Sequence, residues 1–186
     1  MKKLPILDEL NNLTNKIVEI VGNADSVEVE EEIIDSVEDL LIMAYVFGNE
    51  SAAEDLGIES DIDINKMNTT IFKDVAGKTW TERIAEYLQN GGTVAEINRV
   101  IDTETMRVFN DSKFQLAQDS GIQNIKKTWV TMNDDRVRDS HWILEGVTIP
   151  LNDRFYTLDG DSALQPYGFE KADNNINCRC ALEFST

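Results

Sequence analysis

Ile125-Lys-Lys-Thr-Trp-Val-Thr-Met132, followed at once by Asn133-Asp-Asp-Arg-Val-Arg-Asp-Ser-His141, is where this chain changes from helical to extended patterning. The first eight residues are rich in β-branched and aromatic side chains, which suit a pleated, half-buried surface, so a strand is expected. In the run that follows, Asp134 or Asp135 is placed to cap a short helix carrying Val137, His141 and Leu144 on related faces and ending at Gly146. Val147 to Ile149 reads as a second short strand stopped by Pro150, Phe155 to Leu158 as a third, and Cys180 to Phe184 as a terminal one. Between them, Asp159 to Asn177 carries Gly160, Pro166, Gly168 and Asn174-Asn175 and reads as a long loop returning the chain to the sheet. A small β-sheet packed with helices gives an α+β fold class.

Upstream the spacing is helical. Thr79-x-x-Glu82 and Thr93-x-x-Glu96 each have capping-box spacing ahead of apolar residues at helical intervals. The first predicts a helix through Ile84, Ala85 and Leu88 to Asn90-Gly91-Gly92; the second predicts one from Val94 to Gln118 or Asp119, with a break near Asp102. The N-terminal third reads as two amphipathic helices joined by a Gly-Asn-Ala-Asp turn. Pro5 opens the first, Ile6, Leu10, Leu13, Ile17 and Ile20 form its stripe, and Gly22 ends it. Asp25 caps the second with Glu28 three residues on; Ile33, Val37, Leu40, Leu41 and Ala44 supply its buried side, and it fades near Gly48-Asn49. The organisation expected is therefore an acidic helical hairpin over 1–56, a connector over 57–78, where acids alternate with Ile58, Ile62 and Ile64, and an α+β domain over 79–186.

The net charge of -18 is concentrated. Up to Asp63 there are 17 acidic and 3 basic residues, a balance of -14; from Ile64 onward 18 face 14, a balance of -4. Phosphate binding needs clustered Lys and Arg, so the balance argues against direct DNA contact through the N-terminal third. Its readings are a solvated helical face or a docking surface for a basic protein partner. No apolar run approaches the length that spans a bilayer, and Met1-Lys-Lys-Leu-Pro5 lacks a signal-peptide cleavage pattern, so synthesis in the cytoplasm without a membrane partner is expected.

The single histidine and both cysteines of the chain fall in its last quarter. His141, Cys178 and Cys180 are three residues of the types that ligate zinc, with a carboxylate such as Asp135 as the fourth. On a regular strand Cys178 and Cys180 point the same way, and a turn at Asn177-Cys178 would bring both to one ion. The competing reading is of two small buried thiols and a histidine tying segments together by hydrogen bonds. Arg136, Arg138 and Arg179 beside Asp134 and Asp139 read as internal ion pairs locking the helix to the C-terminal strand, with a phosphate-binding cluster as the alternative. Glu104 and Arg107, at i and i+3, read as a helix-surface pair.

Lys127-Thr-Trp-Val, Asp134-Asp-Arg-Val-Arg-Asp-Ser-His141, Leu144-Glu-Gly146, Val147 to Leu151, Phe155 and Asn177-Cys-Arg-Cys180, with Thr103-Glu104 and Arg107 upstream, resemble the phage Mu F-like family of head morphogenesis proteins. The resemblance covers about half the chain, from about Thr93 onward. It implies a non-enzymatic bacteriophage minor head protein, acting in procapsid assembly near the portal and affecting DNA packaging or ejection. Its partners would be portal, major capsid or scaffold protein, and it would pass from host cytoplasm to virion head. Two other readings stand beside it: a metal-dependent hydrolase or nuclease centred on His141, and an acidic soluble regulator binding a host protein through its N-terminal helices.

Overall fold

A computed structural model describes residues 26–186, together with Asp8, Asn11, Asn12, Asn15 and Lys16, which are helical. The apolar stripe assigned to the first helix, its end at Gly22 and the Asp25 cap lie outside the described residues.

Four helices come first: α1 (Ser26–Leu56), α2 (Ile64–Ile71), α3 (Trp80–Gln89) and α4 (Val94–Asp119). The α+β module follows as β1 (Lys126–Val130), α5 (Asp139–Trp142), β2 (Thr148–Pro150), β3 (Phe155–Tyr156), β4 (Ser162–Ala163), α6 (Ala172–Asn175) and β5 (Ala181–Ser185). β1 is the centre of an antiparallel sheet ordered β2-β1-β5, with Lys127 opposite both Ile149 and Phe184, and β3 pairs with β4 separately. The fold is α+β.

Helix α1 does not fade at Gly48. It runs on to Leu56 because Gly48 is where α1 crosses α4: a Cβ there would lie 2.3 Å from the Phe109 carbonyl oxygen. The missing side chain lets two backbones approach, and the Ser112 hydroxyl donates to the Tyr45 carbonyl at 2.6 Å across the same crossing. The terminator is Gly57 instead, with a left-handed φ of 67° and the Ile58 N–H bonded to the Ala53 carbonyl at 3.0 Å.

The segment read as a connector contains α2. Asp63 caps it by accepting from the Asn65 and Lys66 backbone N–H groups, and Ile71 is buried against α1 and α4. Both predicted capping boxes are present, with Thr79–Glu82 opening α3 and Thr93–Glu96 opening α4. Helix α4 passes through Asp102 without a break. Two apolar clusters meet along it: one holds Ile33, Val37, Leu41, Trp80, Ile84, Ile97 and Ile101 between the helices, and the other holds Phe114, Trp129, Phe155, Phe169 and Leu182 beneath the sheet. Burial of such large side chains stabilises each by roughly 1.5–3 kcal/mol, so α4 is the element on which both halves are assembled.

The helix expected from Asp134 or Asp135 to Gly146 is shorter. Residues 134–137 form a turn in which Asp134 accepts from the Arg136 N–H at 3.1 Å, and α5 is only Asp139–Trp142, with no side-chain cap at Arg138. The Asp134 carboxylate is held by Arg179, so it does not cap α5. The expected loop from Asp159 to Asn177 carries β4 and α6 and is organised by Asp161. That carboxylate accepts from the Ser162, Glu170 and Lys171 N–H groups and from the Asn174 amide. Burial pushes its pKa up, but these bonds outweigh burial and hold it below the usual range.

Candidate metal site

His141 lies in α5, while Cys178 and Cys180 flank Arg179 just ahead of β5. Asn177 turns the chain with a left-handed φ of 56°, which Asn tolerates better than most residues, and the two thiols then face the same imidazole. Cys178 Sγ lies 3.6 Å and Cys180 Sγ 3.5 Å from His141 Nδ1, and all three ligand atoms lie within 4.8 Å of one another. All three residues are buried. The imidazole stacks on Phe169 with centroids 5.3 Å apart and meets the edge of Trp129 at 5.5 Å, so its plane is set by the aromatic core. Its Nε2 is buried and has no hydrogen-bond partner among the described residues.

The two thiols are driven apart electrostatically. Burial pushes the Cys178 thiol up, but hydrogen bonds from Cys180 and His141 outweigh it and bring it down to about 5. Cys180 goes the other way, raised by its bond to Cys178 and then by burial. In this buried pocket a second thiolate needs a cation beside it, the situation a coordinated divalent metal supplies. A cavity of about 10 Å³ lies against His141, Cys178 and Cys180, close to the room one ion or one water takes up.

The structure therefore brings together three of the four residues singled out as metal ligands. Asp135 is exposed and stands outside the group. Of the proposed ion pairs, Arg179 grips Asp134 with two bonds of 2.9 and 2.6 Å, tying the 134–137 turn to the cysteine segment. Arg136 is 3.8 Å from the same carboxylate and its side chain is 73% exposed. Arg138 makes no ion pair among the described residues; it donates to the Asn174 and Ile176 carbonyls at 3.1 and 2.7 Å, holding α6 against α5. Asp139 and Asp135 form no ion pair among the described residues.

Glu104 and Arg107 are not on a surface. They are the centre of a buried seam in which Arg107 Nε donates to Glu104 at 2.7 Å and its Nη1 to Asp111 at 3.0 Å, while Arg83 faces the second Glu104 oxygen at 3.1 Å. Gln165 reaches Asp111 from the segment before α6. A sequence signal for this existed: Ile97, Val100, Glu104, Arg107 and Asp111 continue one helical stripe at spacings of three and four, so the charges extend the buried face.

Residues 65–183 match the family described as Phage Mu protein F like protein. The chain is also 29% identical over 145 residues to a protein of Enterococcus faecalis (strain ATCC 700802 / V583) named NAD(+)--arginine ADP-ribosyltransferase EFV, a match covering 75% of this chain and 29% of that protein. The chain thus spans less than a third of the length of this relative. No solved structure matches.

Proposed function

This chain belongs to the phage Mu protein F-like family, and from that premise we propose that it is a non-enzymatic minor head protein that acts in head assembly beside the portal. The observation that carries the reading is the extent of the family match. It takes in α2 to β5, and with them the buried seam, the sheet and the His141, Cys178 and Cys180 group. The acidic N-terminal region docks on a basic surface of a portal, scaffold or major capsid protein, its charge excluding direct grip on DNA. Through that contact the protein influences how DNA is packaged or ejected. It is made in the host cytoplasm and carried into the virion head; no helix among the described residues is long and apolar enough to cross a membrane. The transferase activity in the relative's name is not proposed here, because the shared segment is 29% of that protein.

We further read the three-residue group as a zinc site that pins α5 to the cysteine segment. Zn–S bonds of about 2.3 Å and a Zn–N bond of about 2.0 Å at a tetrahedral angle separate sulfur and nitrogen by about 3.5 Å. The observed separations are 3.6 and 3.5 Å. As a ligand, His141 has no free lone pair and would not itself serve as a general base.

The decisive test of the head role is composition. Procapsids purified from cells carrying the phage should contain the chain, and a variant with the exposed α1 acids Glu31, Glu32, Asp35 and Asp39 changed to Gln or Asn should be lost from them while remaining soluble. Heads that form normally and never contain the chain would defeat the proposal.

A further inference from the structure

The three-ligand group leaves one corner of a tetrahedron without a protein donor, since no fourth His, Cys, Asp or Glu joins it among the described residues. Structural zinc sites are normally closed by four protein ligands, and a site that stops at three keeps a position for something else. What lies over that position is charged. Arg136, Arg138 and Arg179 line the small cavity against the thiols, and the same three line a wider adjoining cleft of about 490 Å³ that also reaches Cys178. Asp102 on α4 is the one acid in the lining of that cleft.

The arginines are not equivalent. Arg138 is spent on the Asn174 and Ile176 carbonyls and Arg179 on Asp134. Arg136 makes a 3.8 Å approach to Asp134, shares the cleft with Asp102 and is mostly exposed, so of the three its guanidinium has the most room to turn toward a ligand. Two thiolates and a neutral imidazole cancel the charge of a divalent ion, so the ion does not repel an incoming anion, and three guanidiniums around it attract one. In a chain of net charge -18 this is a local inversion of sign.

We propose that the metal held by His141, Cys178 and Cys180 keeps its fourth position for an oxyanion from outside the chain, a phosphate group, with Arg136 as its second anchor. With a metal bound, one phosphate oxygen would take the fourth position while others accept from the Arg136 guanidinium; no covalent bond of the phosphate changes. The inference rests on the metal reading above. The phosphate can be free or part of a nucleic-acid backbone, and both present the same oxygens.

Cobalt(II) replaces zinc in thiolate sites, and its visible absorption reports the number and type of ligands, so the test is a titration of the cobalt-loaded full chain with inorganic phosphate. A saturable change in the visible bands is expected. It should be weakened about tenfold in Arg136→Gln, the loss of one charge-assisted contact, with cobalt uptake unchanged and with Arg154→Gln as an unaffected control. A short single-stranded oligonucleotide without terminal phosphate forms the second arm. A response to it at lower concentration than to free phosphate identifies the backbone as the source, and a response to free phosphate alone identifies a phosphate monoester or inorganic ion. Cobalt uptake with bands that ignore phosphate, or a phosphate response equal in Arg136→Gln and wild type, overturns the proposal while sparing the metal. Failure to take up cobalt or zinc removes the metal reading, and this inference with it.

Discussion

Two buried polar clusters sit a short way apart in this molecule and answer the cost of burial in opposite ways. In the seam along α4, nearly every donor has an acceptor: Arg107 alone reaches Glu104, Asp111 and the carbonyls of Thr70 and Ile71. Around His141 the accounts stay open, with Nε2 unpartnered among the described residues and two thiols converging on one nitrogen. A network whose buried charges are paired with one another serves to hold helices in register, even though Glu104 Oε1 and Gln165 Oε1 accept no hydrogen bond among the described residues. An open one, kept buried despite its cost, has capacity to spare. The difference is between a cluster held by its own ion pairs and a candidate site whose His141, Cys178 and Cys180 have no counter-charge among themselves.

The comparison breaks first at the seam. Glu104→Ala leaves Arg107 and Arg83 facing a buried gap, and the expected loss is about 3–5 kcal/mol, read as a fall in urea midpoint and Tm. A loss under 1 kcal/mol would mean that the seam is solvated and that closure is not its purpose. At the open cluster the effect depends on what is added. Zinc at about 100 times its dissociation constant should raise stability by about 2.7 kcal/mol, a gain reversed by chelator and absent in Cys178→Ser. Melts that do not respond to zinc or chelator, with no zinc found by elemental analysis, would close the second cluster as a set of core thiols.

A third buried group sharpens the contrast, because it has no ion pair among the described residues and no ligand position beside it. Lys127 donates to the Leu164 carbonyl at 2.6 Å and stands over the Phe114 and Phe155 rings at 5.0 and 5.4 Å. Burial draws its pKa down from 10.5 to about 8. Between pH 8 and 10.5 the unfolded chain holds the proton that the folded chain has released, so stability rises with pH across that window and is flat below it. Lys127→Met should remove this rise while leaving stability at pH 7 level or slightly higher. Urea titrations at pH 7.5 and 10 on both proteins measure it; an equal rise in the variant would assign the slope elsewhere. The smallest effect is expected far from both clusters. Thr93→Ala removes the α4 cap bond to Glu96 and should cost about 1 kcal/mol, a scale against which the seam can be judged.

Local chemistry was legible where a residue's partners lie three or four positions away. Both capping boxes, the strand at Lys126–Val130 and the β5 strand could be read in this way. Gly48 was misread for the converse reason. Glycine is a helix terminator on local grounds, and only the approach of Phe109, 61 positions along the chain, makes it an interior contact. Asp63 is not legible as a cap because the residues around it look like a loop, and Asp134 or Asp135 reads as one because nothing nearby in sequence shows that Arg179 holds Asp134.

The sequence by itself determined the α+β class, the two capped helices and the identity of the three metal-type ligands, since these depend on residue type and short-range spacing. Only the tertiary structure decided that Asp135 stands outside the His141, Cys178 and Cys180 group, that Glu104 and Arg107 are interior, and that one face of this candidate metal site opens on arginines. Those outcomes depend on contacts between residues 37 and more positions apart, such as His141 with Cys178 and Arg107 with Thr70, and such contacts form only when both apolar clusters close on α4.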